Sequence, residues 1–238
     1  MALLKRRPRG GEPRPLITLT DPDGGAAEDY RSLRTSLIYS IAGDRPRAIA
    51  VSSPGPGEGK STTAANLAVS LAQAGKSTLV VDADLRRPQI HTAFSARNLR
   101  GLVNVLVGEM TFAEAVQEGP LVDLSLLTSG PLPPNPAELL SSAGFSGVLD
   151  EARRSYEYVI LDTPPVGAVA DASVIAAQSD GVLLVIDTQR TRKSSVRHAA
   201  HELESVGARL LGTVMNNVRA GRRGYYGYRG YYYSGGYY

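Results

Sequence analysis

Apolar positions along this chain fall into short, dense runs separated by stretches in which they recur every three or four residues. The runs at 48–51, 77–82, 124–128, 158–163, 181–187 and 209–215 are bunched rather than alternating, the pattern of strands buried on both faces of a parallel sheet. The periodic stretches predict helices. In 28–41, Tyr30, Leu33, Leu37 and Ile41 return at helical spacing, and 59–74 is Ala-rich and closed by Gly75. Shorter helices are expected at 101–107, 112–116, 137–140 behind Asn135 and Pro136, 145–154, 171–178 and 192–205. Strand and helix alternate, which predicts an α/β fold with a mostly parallel central sheet flanked by helices. The segment 89–123 is expected to lie outside the strand order.

Composition narrows the class. With 238 residues, 42% of them apolar, the chain can build one large α/β domain with a substantial core. The absence of cysteine excludes disulfides, thiolate catalysis and cysteine-ligated metals. His91, His198 and His201 lack zinc-site spacing. No run of 18 apolar residues occurs, and no apolar signal core follows the basic N-terminus. A cytoplasmic protein is expected, touching a membrane only through something else.

Charge is unevenly distributed. Lys5, Arg6, Arg7, Arg9 and Arg14 stand against Glu12 alone near the N-terminus, among prolines and glycines, so residues 1–27 are expected to form a flexible basic arm. Arg219, Arg222, Arg223 and Arg229 lie beyond the last predicted strand with no acid among them. The folded domain is thereby placed at 28–217 and a flexible tail at 218–238. The tail holds Tyr225, Tyr226, Tyr228, Tyr231, Tyr232, Tyr233, Tyr237 and Tyr238, eight of the twelve tyrosines, with no period that would pack them. Interleaved arginines and aromatics keep stacking on single-stranded nucleic acid open as a use for it.

The chemistry gathers at the strand ends. Between the run 48–51 and the helix after it lies a glycine-rich loop, where Gly55, Pro56, Gly57, Glu58, Gly59, Lys60, Ser61 and Thr62 are candidates to hold a nucleotide. Glycines let successive N–H groups turn toward one anion, Lys60 can reach terminal phosphates, and Ser61 can place its hydroxyl on Mg²⁺. Pro54 stands where the usual G-x-x-x-x-G-K-[ST] pattern begins with glycine. Two later apolar runs end in acids, Asp82 with Asp84 and then Asp162, on the same sheet edge as the loop. Asp82 and Asp162 are candidate metal ligands with Ser61, and Lys60, Asp82, Asp84 and Asp162 are candidate catalytic groups. Asn216, at the end of the sixth run, can meet a base edge or cap the sheet. Arg86 and Arg87 can neutralise phosphate or face solvent.

PGPGEGKST at 54–62, VVDADLRRP at 80–88, VILDTPP at 159–165 and the terminal tyrosines resemble a bacterial protein-tyrosine kinase of the capsular and exopolysaccharide-synthesis type, a P-loop NTPase family. Glu28, Arg31 and Arg34, which composition alone leaves as a solvated face, match that family's E-x-x-R-x-x-R helix. The resemblance thereby implies that they lie at an oligomer interface, in a ring. It also implies ATP and Mg²⁺, autophosphorylation of the eight tail tyrosines between subunits, a cognate tyrosine phosphatase, and protein substrates in sugar-polymer synthesis. A separate transmembrane activator is implied, holding the chain at the inner face of the cell membrane, and no nucleic-acid partner is expected. Two other classes remain: a nonkinase positioning ATPase of the partition type, and a nucleic-acid or scaffold binder using the basic aromatic tail.

Overall fold

A computed structural model describes residues 15–39 and 46–218. The elements run α1 (Ile17–Thr20), α2 (Gly25–Tyr39), β1 (Ala48–Ser52), α3 (Lys60–Ala72), β2 (Thr78–Asp82), α4 (Ile90–Ala93), α5 (Leu102–Leu106), α6 (Phe112–Ala115), β3 (Gln117–Glu118), β4 (Leu124–Leu127), α7 (Pro136–Ser141), α8 (Ala143–Ser155), β5 (Tyr158–Asp162), α9 (Asp171–Gln178), β6 (Gly181–Asp187), α10 (Lys193–Ser205) and β7 (Leu210–Asn216). The eight tail tyrosines lie outside the described residues.

The strands form one sheet in the order β3-β4-β2-β5-β1-β6-β7, parallel throughout except for the antiparallel β3·β4 pair. Alternate residues of each buried strand serve two cores. Ala48 and Ala50 of β1 face the layer of Phe145, Leu149, Ile175 and Leu203, while Ile49 and Val51 face Leu67 and Leu71 of α3. Both faces being covered explains why these strands read as continuous apolar runs. β1 sits centrally, between β5 and β6, so the loop that follows it emerges in the middle of the sheet's C-terminal edge. α3 returns from that loop and is closed by Gly75, whose φ of +69° puts it in the left-handed region and whose N–H donates to Ala72 O at 2.9 Å.

Two expectations are corrected. Residues 15–27 are not part of a flexible arm. Leu16 and Thr18 are buried, and Asn66 of α3 accepts from both the backbone N (3.1 Å) and the hydroxyl (2.9 Å) of Thr18. Gln73 at the other end of α3 donates to Thr18 O at 2.9 Å. A four-residue helix fastened by polar side chains carries no apolar period, so composition hid it. Residues 89–123 do not stay outside the sheet, because Gln117 and Glu118 pair with Leu126 and Ser125 as an edge strand. Two residues are too few to show alternation.

Candidate active site

β1, β2 and β5 bring the candidate residues to one edge. In the loop between β1 and α3, Gly57 and Gly59 take φ of +76° and +98°, conformations that a side chain resists. A Cβ on Gly59 would also run into Nδ2 of Asn216. The segment after β5 is sewn to the loop's first half: Ser52 Oγ donates to Pro164 O at 2.7 Å, and Val166 N donates to Ser53 O at 2.9 Å.

Lys60, the first residue of α3, turns inward. Its Nζ lies 2.8 Å from Asp84 Oδ2, 3.2 Å from Asp162 Oδ1 and 3.2 Å from Ser61 Oγ. Burial works against the ammonium, but the Asp162 and Asp84 carboxylates outweigh it and hold the lysine pKa above its ordinary value. Asp82 and Asp162 are direct partners in the β2·β5 register, so two acids meet at adjacent strand ends. Burial, then the neighbouring Asp162 charge, pushes the Asp82 carboxyl well above the usual carboxylate range. Burial raises Asp162 too, opposed chiefly by Lys60 and by the hydrogen bond from Ser61.

The oxygens of these acids are unequally used. Asp82 Oδ2 accepts from the backbone N of Gln89 (2.9 Å) and Ile90 (2.8 Å), and Asp84 Oδ1 accepts from Arg87 N at 3.0 Å. Asp82 Oδ1 and Asp162 Oδ2 are buried without a partner. Buried, unpartnered carboxylate oxygens call for a cation or water, and Mg²⁺ takes one or two protein carboxylates together with phosphate oxygens and waters. Ser61, Asp82 and Asp162 therefore fit Mg²⁺. Among the described residues no group of three or more His, Cys, Asp or Glu side chains is arranged to hold a metal by itself.

Other candidates are placed less directly. Glu58 directs Oε2 to the end of β6 and the segment before α10, accepting from Asp187 N at 3.2 Å and Thr191 Oγ1 at 2.7 Å. Asn216 donates Nδ2 to Glu58 O at 3.0 Å, so this amide supports the loop's backbone. Arg86 forms a two-pronged pair with buried Asp171 at the start of α9, at 2.8 and 3.1 Å. On α2, Glu28 and Arg31 pair with each other at 2.6 Å, whereas Arg34 reaches α3 and donates to Ser70 O at 2.8 Å. The sequence reading missed Asp171, Asp187 and Thr191. Asp187 ends an apolar run as Asp82 and Asp162 do, and that signal was available; the rest act through contacts that no spacing records.

Residues 46–213 match the family described as AAA domain. Tyrosine-protein kinase YwqD of Bacillus subtilis (strain 168) is 44% identical over 228 residues, 96% of either chain. Among solved structures, the chimerical protein CapA2B2 superposes with a TM-score of 0.82 at 38% identity, over 85% of this chain and 89% of that one. The kinase domain of the Escherichia coli tyrosine kinase ETK gives 0.84 at 30% identity, over 92% and 86%. Kinship at this identity, over nearly the whole chain, agrees with a phosphate loop whose lysine meets the acidic ends of two strands. The chain belongs to the bacterial protein-tyrosine kinases of the capsular and exopolysaccharide-synthesis type, ATP-dependent enzymes built on the P-loop fold.

Proposed function

We propose that the chain transfers the terminal phosphoryl group of ATP to the tyrosines of its own tail, presented by a neighbouring copy. The observation that carries this reading is the convergence of Lys60, Asp84 and Asp162 beside the unpartnered oxygens of Asp82 and Asp162. The backbone N–H groups of Gly55, Gly57, Glu58 and Gly59 cradle the phosphates, and Lys60 leaves its carboxylates to meet the transferred group. Ser61, Asp82 and Asp162 would hold Mg²⁺, which when bound would draw charge from the phosphate oxygens. The phenolic oxygen forms its bond to the γ-phosphorus as the bond to the departing ADP oxygen breaks. Asp84, released by Lys60, accepts the phenolic proton.

Exposed Glu28 and half-buried Arg31, which also donates to Pro22 O, support contact between copies through α2, with Arg34 committed to α3. A tail carrying eight tyrosines on each copy suits delivery around a closed ring. Full modification would add about −12 to −16 charge, at about −1.5 to −2 per phosphate, which overwhelms the four tail arginines and opposes further delivery. Kinship supports a role in regulating polysaccharide synthesis or export, with sugar-polymer enzymes as further substrates and a tyrosine phosphatase resetting the tail. Among the described residues no helix is long and apolar enough to cross a membrane, which is compatible with a separate transmembrane activator that holds the chain at the cytoplasmic face.

The deciding experiment is incubation with labelled ATP and Mg²⁺ followed by phosphotyrosine mapping. Label on residues 225–238 is expected. ATP hydrolysis without phosphotyrosine would favour a positioning ATPase instead.

A further inference from the structure

An acid in a phosphate loop needs a reason, because its charge opposes the ligand. Glu58 is nearly buried, and one oxygen, Oε2, takes both of its hydrogen bonds, from Asp187 N and Thr191 Oγ1. Those donors belong to the end of β6 and to the segment 188–192 before α10. The carbonyl of the same residue holds the Asn216 side chain. Asn216 in turn accepts from Thr188 N through its own carbonyl (3.0 Å) and from Asn217 N through Oδ1 (2.9 Å). Asn217, at φ +54°, donates Nδ2 to Asp187 Oδ2 at 2.8 Å and accepts from Thr188 Oγ1 at 3.1 Å. The bonds form a closed circuit: phosphate loop, end of β6, end of β7, and back to the loop.

We infer that Glu58 is a positioning residue that clamps the phosphate loop to the ends of β6 and β7, holding its amides ready for phosphate at the point where the chain leaves the fold toward its tail. Glycine makes the left-handed turns at 57 and 59 accessible without selecting them among the loop's other conformations, and the circuit supplies that selection. Without the clamp the loop visits conformations that do not bind, and the apparent affinity falls in proportion to the competent fraction. Once nucleotide is bound, the geometry is restored and transfer proceeds. The signature is a rise in KM for ATP with kcat nearly unchanged. The inference rests on the loop being the ATP site, and its first readout needs no nucleotide.

Three variants test it: Glu58→Ala, Glu58→Gln and Thr191→Val. Because Oε2 alone accepts both bonds, the glutamine carbonyl oxygen can replace it, so Glu58→Gln should keep the clamp. In the ligand-free chain, amide hydrogen exchange at Gly55, Gly57, residue 58, Gly59, Asn216 and Asn217 should quicken in Glu58→Ala, less so in Thr191→Val, and remain at parent level in Glu58→Gln. In assays of transfer, KM for ATP should rise about tenfold in Glu58→Ala, equivalent to about 1.4 kcal/mol, with kcat within about threefold. Unchanged exchange in Glu58→Ala overturns the clamp whatever ATP does. So does a Glu58→Gln variant as impaired as Glu58→Ala, which would make the charge rather than the hydrogen bonds the cause. A fall in kcat and in melting temperature together, with KM unmoved, would reduce Glu58 to a support of the fold and also overturn the inference. Parent-like exchange in Glu58→Gln with ATP bound elsewhere would retain the clamp and refute the proposed site.

Discussion

The ammonium of Lys60 lies 2.8 Å from Asp84 Oδ2 and 3.2 Å from Asp162 Oδ1, so the residue expected to meet phosphate is also the counter-ion of two buried acids. Removing one partner of a buried ion pair costs about 3–5 kcal/mol. At about 2–4 °C per kcal/mol for a chain of this size, Lys60→Met should lose transfer and also melt about 6–20 °C lower. Adding Asp84→Asn should recover part of the stability and none of the activity. Transfer near the parent rate in folded Lys60→Met would remove this loop from catalysis.

Asp82 predicts the opposite sign. Its folded pKa is raised, so ionising it is penalised in the fold, and ligand-free stability should fall as pH climbs from the ordinary carboxylate range toward that raised value. Asp82→Asn keeps an oxygen for the N–H groups of Gln89 and Ile90 and removes the charge facing Asp162. An unsatisfied buried acceptor costs about 1–3 kcal/mol, so the variant should melt a few degrees higher at pH 8, with the gain shrinking toward pH 4, while Mg²⁺-dependent transfer drops. A lower melting temperature at pH 8 would contradict this account of the acid pair.

On α2 the three charged residues should separate. The Glu28–Arg31 ion pair contributes about 0–1 kcal/mol to the single chain, and half-buried Arg31 also donates to Pro22 O at 2.7 Å. Arg34→Ala should cost about 1.5–3 kcal/mol, the range for a hydrogen bond from a charged group, because it abandons Ser70. Glu28→Ala with Arg31→Ala should give smaller oligomers by native mass spectrometry and a melt lowered no more than by Arg34→Ala, from the lost bond to Pro22 O. An unchanged oligomer distribution would take these two residues out of the interface.

The tail is tested by mixing. A Lys60→Met chain with an intact tail is combined with an active chain whose eight tail tyrosines are phenylalanine. Delivery between copies requires phosphotyrosine on the inactive chain's tail. An unlabelled tail in confirmed mixed oligomers refutes it. The phenylalanine chain alone should bind ATP and assemble, yet lose nearly all self-labelling.

Much of this site was legible because its determinants are local. A buried strand must be apolar, so Asp82 and Asp162 at the ends of such runs announce themselves, and Lys60 follows from glycine spacing. Register pairs the two acids directly, which sequence could not state. The inward turn of Lys60, the reach of Glu58 to Thr191 and the engagement of Asn216 depend on contacts between residues more than twenty positions apart. The docking of Thr18 onto Asn66 was hidden for the same reason, since polar side chains joining a short helix to a long one leave no period.

The two borders of the sheet differ in a way that bears on misassembly. β3 offers two antiparallel residues at one border, whereas β7 offers seven at the other, with Leu210 and Met215 exposed and, among the described residues, no strand beyond it. A foreign strand can build a full ladder along β7 and finds almost no template at β3. Partly unfolded chains that stick border to border therefore exhaust their adhesive side in one encounter, which favours dead-end pairs over growing fibrils.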